Sequence, residues 1–372
     1  MHQFKTWVEI NKNAAEYNCG VLRSLLKPKT KLWAVVKSNA YGHGLVEFSK
    51  LVSHKVDGFC VDSVAEGLKL RQNSVKKSIL VLGPTMPHFL KDAAQNELTV
   101  TISNFDALAY FAKSKHKPFF HLKIDTGMHR QGFYFKNLPQ VIKIIRNSKL
   151  EIRNCLKGVY THFASAKDLN YPAYTDWQFA NFNKAAVLFE KRGFKKLIKH
   201  AAATGGTLIN DKYHLDAVRT GIGLYGLWPS KELSLQRQDL RFKPALSWHT
   251  IISEIKTVKK GDFIGYDLIE RANKPILMAI LPIGYWHGFP RALSGIGEVL
   301  IRGIRAKILG RVSMDLVVVN VSGISCKAGD KATIIGKQKG EEISAFDAAQ
   351  KLNTIHYELI TRINPLIKRI IV

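Results

Sequence analysis

Eight short apolar runs separated by longer amphipathic stretches dominate the sequence between Leu32 and Arg219. They are Leu32–Val36, Val56–Val61, Ile79–Leu82, Leu98–Ile102, Phe119–Ile124, Gly158–His162, Leu197–Ala201 and Leu215–Arg219. A strand covered by helices on both faces reads as a continuous apolar run rather than as an alternation. The stretches between them, among them Val64–Leu70 and Trp177–Leu188, carry helical patterns. Strand and helix in alternation define parallel βα units, and eight units match the size of a closed (β/α)8 barrel. The expected class is α/β, with an N-terminal TIM-type barrel.

The texture changes after Trp228-Pro229. Ser230 to Arg241 is polar, holds few large apolar residues, and reads as a linker. From Leu246 the chain alternates in short segments such as Ile251–Ile255, Val299–Ile301 and Leu316–Val321, punctuated by Gly and Asp. That is the pattern of a smaller, mostly β domain. One helix is expected near Ser344–Leu352, with Ser344 as its N-cap. The expected division is a barrel over residues 10–230 and a C-terminal mostly-β domain over 242–372, with residues 1–9 packing on the latter.

Composition narrows the functional classes. With 46% apolar residues in 372, the chain can bury a large core, which excludes global disorder. Lys and Arg number 56 against 29 acids, a net charge of +27. The basic residues are spread along the chain, and no zinc-finger or aromatic-basic RNA motif accompanies them, so they read as a solvated surface. No specific nucleic-acid partner is expected. Cys19, Cys60, Cys155 and Cys326 lie far apart without a CxxC pair, which excludes a disulfide-dense scaffold and gives no hint of a metal site. The N-terminus lacks a signal-peptide core, and the longest uncharged apolar stretch, Ile276 to Phe289, is too short to span a bilayer. A cytoplasmic protein without membrane partners is the expectation.

Barrel chemistry sits at the C-terminal ends of the strands. Lys37 follows the first apolar run directly and leads into Ser38-Asn39-Ala40-Tyr41-Gly42-His43-Gly44. Partial desolvation at a barrel mouth favours a neutral amine, the form that attacks an aldehyde to make a Schiff base. The fifth run ends in Lys123-Ile124-Asp125-Thr126-Gly127-Met128-His129-Arg130, and the sixth in Thr161-His162-Phe163. The seventh leads into Ala203-Thr204-Gly205-Gly206, and the eighth ends in Arg219-Thr220-Gly221-Ile222-Gly223. Loops after strands seven and eight commonly bind phosphate, with small residues admitting backbone N–H groups to the anion. Thr204 adds a hydroxyl there, and Gly221 and Ile222 add amides.

These segments, AVVKSNAYGHG, KIDTGMHRQGF, THFAS and RTGIGLYGL, together with LPIGY and GRVSMD further on, stand in the order of the motifs of alanine racemases. The chain resembles that family over nearly its whole length. The resemblance implies pyridoxal 5'-phosphate as cofactor, a small amino acid as substrate, and a homodimer with active sites shared across the interface. It makes Lys37 the Schiff-base lysine and one catalytic base, and Tyr266 the second. Tyr41, Thr204, Gly221 and Ile222 would hold the cofactor phosphate, His162 would lie against the pyridine ring, and Arg219 would donate to its nitrogen. Arg130, Met314, Asp315 and Tyr285 would meet or admit the substrate. Lys123 falls where many members carry a carbamylated lysine. The implied activity interconverts L- and D-alanine, the latter for peptidoglycan. The alternatives are a broader racemase acting on serine, lysine or similar amino acids, and a pyridoxal-phosphate-binding protein with little racemase activity. His43 and Asn39 read as shaping the turn, and His200 as a candidate support for Arg219 from the adjacent strand.

The roles are chemically coherent. Racemisation removes a proton from one face of a planar carbon and returns one to the other, so it needs a base on each side. Arginine stays protonated and donates without giving up its proton. The chain also departs from the family. Ala203-Thr204 replaces the usual Asn-Ser, keeping a hydroxyl but losing an amide. Pro365 stands where a phosphate-binding tyrosine is usual. His287 replaces an acid in the IGYxDG pattern. Asp267 stands where Gly is common after Tyr266, and a carboxylate there opposes ionisation of the neighbouring phenol. These departures bear on cofactor affinity and rate rather than on fold.

Overall fold

A computed structural model describes residues 4–148 and 150–372. The first strand, β1 (Thr6–Ile10), belongs to a sheet formed with the C-terminal part. The next eight are β2 (Lys31–Val35), β3 (Gly58–Val61), β4 (Ser78–Pro84), β5 (Leu98–Ile102), β6 (Phe120–Lys123), β7 (Leu156–Tyr160), β8 (Ile198–Ala203) and β9 (Ala217–Thr220). They pair in chain order and close into a barrel, β2 returning to β9 with Leu32 beside Val218 and Trp33 beside Arg219. Every pair is parallel. Each strand falls on one of the eight apolar runs, and the expected α/β barrel stands.

Local chemistry sets the helices between them. Ser63 caps the helix Val64–Gln72, its hydroxyl accepting from the Glu66 N–H at 3.3 Å. Asn104 does the same for Phe105–Lys113, accepting from the Ala107 N–H at 2.8 Å. Such caps satisfy donors that a helix start leaves without partners. The expected helix at Trp177–Leu188 lies within Ala173–Lys191.

The C-terminal strands are β10 (Leu246–Ile251), β11 (Glu254–Val258), β12 (Ile276–Leu281), β13 (Glu298–Ile301), β14 (Ile304–Leu309), β15 (Val317–Asn320), β16 (Lys331–Gln338), β17 (Glu341–Ile343) and β18 (Lys368–Ile371). With β1 they form a ten-stranded sheet in the order β11-β12-β15-β14-β13-β16-β10-β1-β18, with β17 paired to β16. β1 lies between β10, antiparallel, and β18, parallel. The helix Ala345–Lys351 begins at Ser344, whose hydroxyl accepts from the Asp347 N–H at 3.0 Å, as expected.

The chain forms two compact units. One is Asn13–Ala40 with Phe48–Lys243, and contains the barrel. The other is Met1–Lys12, Tyr41–Glu47 and Pro244–Val372. Of the N-terminal residues 1–9 expected on the second unit, residues 1–3 lie outside the described residues. Tyr41–Glu47 joins this unit although the sequence boundaries place it in the barrel segment. The cause is Arg369 of β18, which is buried and donates to the Gly42 carbonyl at 3.1 and 3.0 Å, with its remaining N–H groups on the carbonyls of Ile363, Asn364 and Ile367.

Two expectations need correction. Ser230 to Arg241 is not bare linker. Ser230 caps a short helix, Lys231–Gln236, which buries Leu233. Ile251–Ile255 is not one strand. β10 ends at Ile251, the chain turns at Ile252 and Ser253, and β11 begins at Glu254, because Ile252 bonds Asp330 while Ser253 bonds Ile280.

Candidate active site

The turn after β2 departs most from ordinary backbone geometry. Ser38, Asn39, Ala40 and Tyr41 all hold left-handed conformations, with φ of 54°, 55°, 51° and 53°. A left-handed position costs an L-residue about 1–2 kcal/mol, so four in a row require outside restraint. In the barrel unit the Ala40 N–H donates to the Val36 carbonyl at 2.8 Å. Both oxygens of Glu66 are engaged as well, one by the Ser38 N–H and the other by the Asp62 N–H, each at 2.7 Å. Lys37 leaves this turn with Nζ 3.3 Å from the Asp62 carboxylate. In the second unit, His43 Nδ1–H donates to the Tyr41 carbonyl at 3.1 Å, the turn-shaping role read from the sequence. A Cβ on Gly42 would lie 2.0 Å from the Ile360 carbonyl oxygen, so only glycine fits there. The Tyr41 ring packs 6.0 Å from that of Tyr357, whose hydroxyl is pushed well above the usual tyrosine range by burial and then by Tyr41.

Arg219, on β9 beside the Lys37 strand, is buried in the barrel. Its Nη1 donates to His200 Nδ1 at 2.5 Å. Its Nη2 donates to the Thr161 and Ala201 carbonyls at 2.7 and 3.0 Å and lies 3.5 Å from His162 Nδ1. The guanidinium also sits over the Tyr160 ring, 5.0 Å from its centroid. Among the described residues its hydrogen-bond acceptors are all neutral. Burial, followed by the Arg219 charge, pulls the His162 imidazole down to about 3. His162 is therefore a neutral ring beside a fixed cation.

Thr204 is buried, and its hydroxyl accepts from the Gly221 N–H at 3.0 Å and the Gly223 N–H at 3.4 Å. The loops after β8 and β9 thus meet, with Ile222 buried beside them. A Cβ on Gly223 would come within 2.8 Å of the Thr204 methyl, and one on Gly205 within 1.9 Å of the Ala166 carbonyl. The Thr220 hydroxyl next to this cradle is buried without a hydrogen-bond partner.

Lys123, at the end of β6, is buried and donates to the Gln131 side-chain oxygen at 2.9 Å. Burial, then the charges of Arg130, Arg219 and Lys37, bring its amine down to about 8. Arg130 itself is exposed. The loop that carries it is fixed by Asp125, whose Oδ1 accepts from the N–H groups of Gly127, Met128 and His129 at 2.9, 3.0 and 3.1 Å.

The second unit carries the other expected residues. Tyr266 is 66% exposed and opens a turn in which Gly265, Asp267 and Leu268 have φ of 76°, 66° and 53°. The positive φ at Asp267 explains why glycine suits the position; aspartate is one of the few other residues that tolerate it. Tyr285 and Met314 are exposed. The Tyr285 and Trp286 N–H groups bond the carbonyls of Ser313 and Met314, and a Cβ on Gly284 would strike both carbonyls at 2.2 and 2.3 Å. His287 accepts from the Gly284 N–H through Nδ1 at 3.1 Å and lies 3.9 Å from Asp315, so it braces the IGY turn. Pro365 lines a cleft of about 630 Å³ with Tyr285, Trp286, Arg291, Arg362 and Asn364.

Sequence reasoning missed Glu66, Asp62, His121 and Arg369. Glu66 had a signal in its spacing from Ser63, and His121 in standing two residues before Lys123 on one strand.

The barrel unit thus brings a lysine, a buried arginine and a cradle of small residues to the C-terminal ends of its strands. The chain matches the alanine racemase N-terminal domain over residues 10–229 and the alanine racemase C-terminal domain over 245–371. It is 35% identical to an alanine racemase of Leptospira interrogans, covering 99% of this chain and 96% of that protein. It is 36% identical to one of Methanococcus maripaludis, covering 98% of each. A crystal structure of alanine racemase from Bacillus anthracis with bound L-Ala-P superposes with a TM-score of 0.92 at 34% identity, covering 100% of this chain and 96% of that one. The chain belongs to the alanine racemase family.

Proposed function

We propose that this protein interconverts L- and D-alanine on pyridoxal phosphate bound at the barrel mouth, with Lys37 and Tyr266 exchanging the proton on opposite faces. The family is pyridoxal-phosphate dependent, and the residues present fit the group. Lys37 offers an amine to its aldehyde, Arg219 a fixed N–H donor to its ring nitrogen, and the Thr204–Gly221–Ile222 cradle with Tyr41 small or hydroxyl-bearing groups to its phosphate. Bound there, the ring withdraws electrons and acidifies the Cα–H of an attached amino acid. The observation that carries the reading is Arg219, a buried guanidinium held by neutral acceptors on the strand next to Lys37.

Arg219 orients without yielding its proton. His162, kept neutral, packs without adding charge. Lys37 and Tyr266 hold or release the migrating proton, and Arg130, Met314, Asp315 and Tyr285 meet or admit the substrate. The exposure of Tyr266 and Met314 supports a homodimer in which the Tyr266 phenol and the Met314 backbone N–H serve the partner's site. At neutral pH part of the Lys123 population is neutral. That amine adds CO2 and loses a proton to give a carbamate, whose negative charge faces Arg130. No helix among the described residues is long and apolar enough to cross a membrane. We place the enzyme in the cytoplasm, supplying D-alanine for peptidoglycan, on the resemblance to its family.

Racemisation of a panel of L-amino acids with added pyridoxal phosphate tests the reading. Alanine should turn over fastest, whereas a preference for serine or lysine would favour a broader racemase. Lys37→Ala should abolish the visible absorbance band of the bound cofactor, and an unchanged spectrum would reject the lysine assignment. Tyr266→Phe should slow isotope exchange from one enantiomer more than from the other.

A further inference from the structure

Behind Arg219 the barrel interior holds a second histidine with no assigned role. His121 lies on β6, two residues before Lys123 and on the same inward face. Its Nδ1 is 2.7 Å from His200 Nε2, and both rings are buried. The hydrogens can be placed by elimination. Arginine only donates, so His200 Nδ1 accepts from Arg219. A neutral His200 then carries its proton on Nε2 and donates it to His121 Nδ1. His121 in turn carries its proton on Nε2. The neutral state follows from burial and from the adjacent Arg219 charge, which pull His121 down to about 3 and His200 well below the usual histidine range.

The surrounding barrel is shaped to this pair. A Cβ on Gly158 of β7 would lie 2.7 and 2.8 Å from the His121 ring, so the glycine makes its space. The β6–β7 register shifts between Phe120 and His121, setting His121 beside Gly158. Trp33 flanks both rings, at 5.8 Å from His121 and 4.9 Å from His200. Tyr160 stacks on His200 at 4.7 Å and 7°, with its hydroxyl donating to Thr101, which donates on to the Val81 carbonyl. His200 is thus held in plane, and His121 is its hydrogen-bond partner on the side away from Arg219.

We propose that His121 is a positioning residue for racemisation: by accepting from His200 Nε2–H, it keeps His200 Nδ1 as the acceptor that aims Arg219. The proposal rests on the reading of Arg219 as the group facing the cofactor ring nitrogen. His121 acts through His200 and touches neither cofactor nor substrate. Because both relay members are neutral, the Arg219 charge stays unquenched at the position that needs a firm N–H donor. A carboxylate in place of His200 would offset that charge.

The test uses ¹⁵N-histidine-labelled holoenzyme. Two-bond ¹H–¹⁵N correlations should show His200 and His121 both protonated on Nε2. A His200 protonated on Nδ1, or on both nitrogens, overturns the proposal without any variant. His121→Leu fills similar space but leaves the His200 donor without an acceptor. It should lower kcat roughly ten- to a hundred-fold, the usual consequence of an unpaired buried donor, with KM for alanine little changed. His121→Asn places Oδ1 near the site of Nδ1 and should recover most of that loss. Equal losses in the Leu and Asn variants would mean that His121 only packs, and an unimpaired Leu variant would remove the role altogether. If the Leu variant does not fold, the wild-type tautomers and the Asn variant decide. A wild-type protein without the visible cofactor band counts against the cofactor reading, whereas the His200 tautomer reports on this proposal alone.

Discussion

The Asp267 carboxylate lies 3.3 Å from Arg311 Nε and 3.8 Å from an Arg291 guanidinium nitrogen. The acid that stands next to Tyr266 in place of the family's glycine is therefore matched by two cations of its own unit. Its charge faces guanidinium rather than acting alone on the phenol. Arg311→Met should lower kcat about two- to five-fold, the scale of an exposed ion pair. Asp267→Asn should matter little by itself, since asparagine tolerates the same left-handed backbone, and should restore activity in the Arg311→Met background. A double-mutant cycle with zero coupling would show that the arginine does not act through Asp267.

Glu66 ties the Ser38 N–H to the Asp62 N–H and so restrains the left-handed turn that ends in Tyr41. Glu66→Ala removes both bonds and leaves four strained residues with less to hold them. The two charge-assisted bonds hold about 1.5 kcal/mol each, and passing half of that total to the site gives roughly ten-fold weaker retention of pyridoxal phosphate, measured by equilibrium titration of the visible band. Glu66→Gln keeps one acceptor oxygen and should fall between the two. Unchanged affinity in the alanine variant would show that the turn holds its shape without this carboxylate.

The barrel was legible because each strand is buried on both faces and announces itself as an apolar run such as Leu98–Ile102. The second sheet was not. Its order joins β1 to β10 and β18, segments more than two hundred residues apart, and local alternation carries no record of such partners. The site divides in the same way. Lys37, Arg219 and Thr204 were readable because strand-end position and side-chain chemistry point to a ligand. Glu66, His121 and Arg369 act on other protein groups, a backbone amide, an imidazole and a carbonyl. Each has a partner distant in sequence, as Glu66 has Ser38, His121 has His200 and Arg369 has Gly42. Lys123 shows the middle case: its place was legible, while its lowered amine basicity needed the burial and neighbouring cations that only the fold supplies.

Glu9, on β1, accepts from the Trp7 indole at 2.9 Å and faces His249 Nε2 at 3.3 Å, with Trp7 and His249 directly paired across β1 and β10. The His249 hydrogen bond outweighs burial and lowers the Glu9 carboxyl to about 2 from its ordinary 4.5. A folded-state value below the unfolded one means that the unfolded chain takes up the proton first as pH falls. The stabilisation is then complete above about pH 4.5 and is lost progressively toward pH 2. Glu9→Gln should therefore be less stable than wild type at neutral pH, with the gap in urea midpoint closing as pH falls through that window. The joint between the two chain ends, where β1 lies beside β18, should loosen first in the variant, read as faster amide exchange at Val8 and Ile370. A stability gap that stays constant from pH 6 down to about 2.5 would mean that the carboxylate charge contributes nothing and that the variant disturbs packing alone.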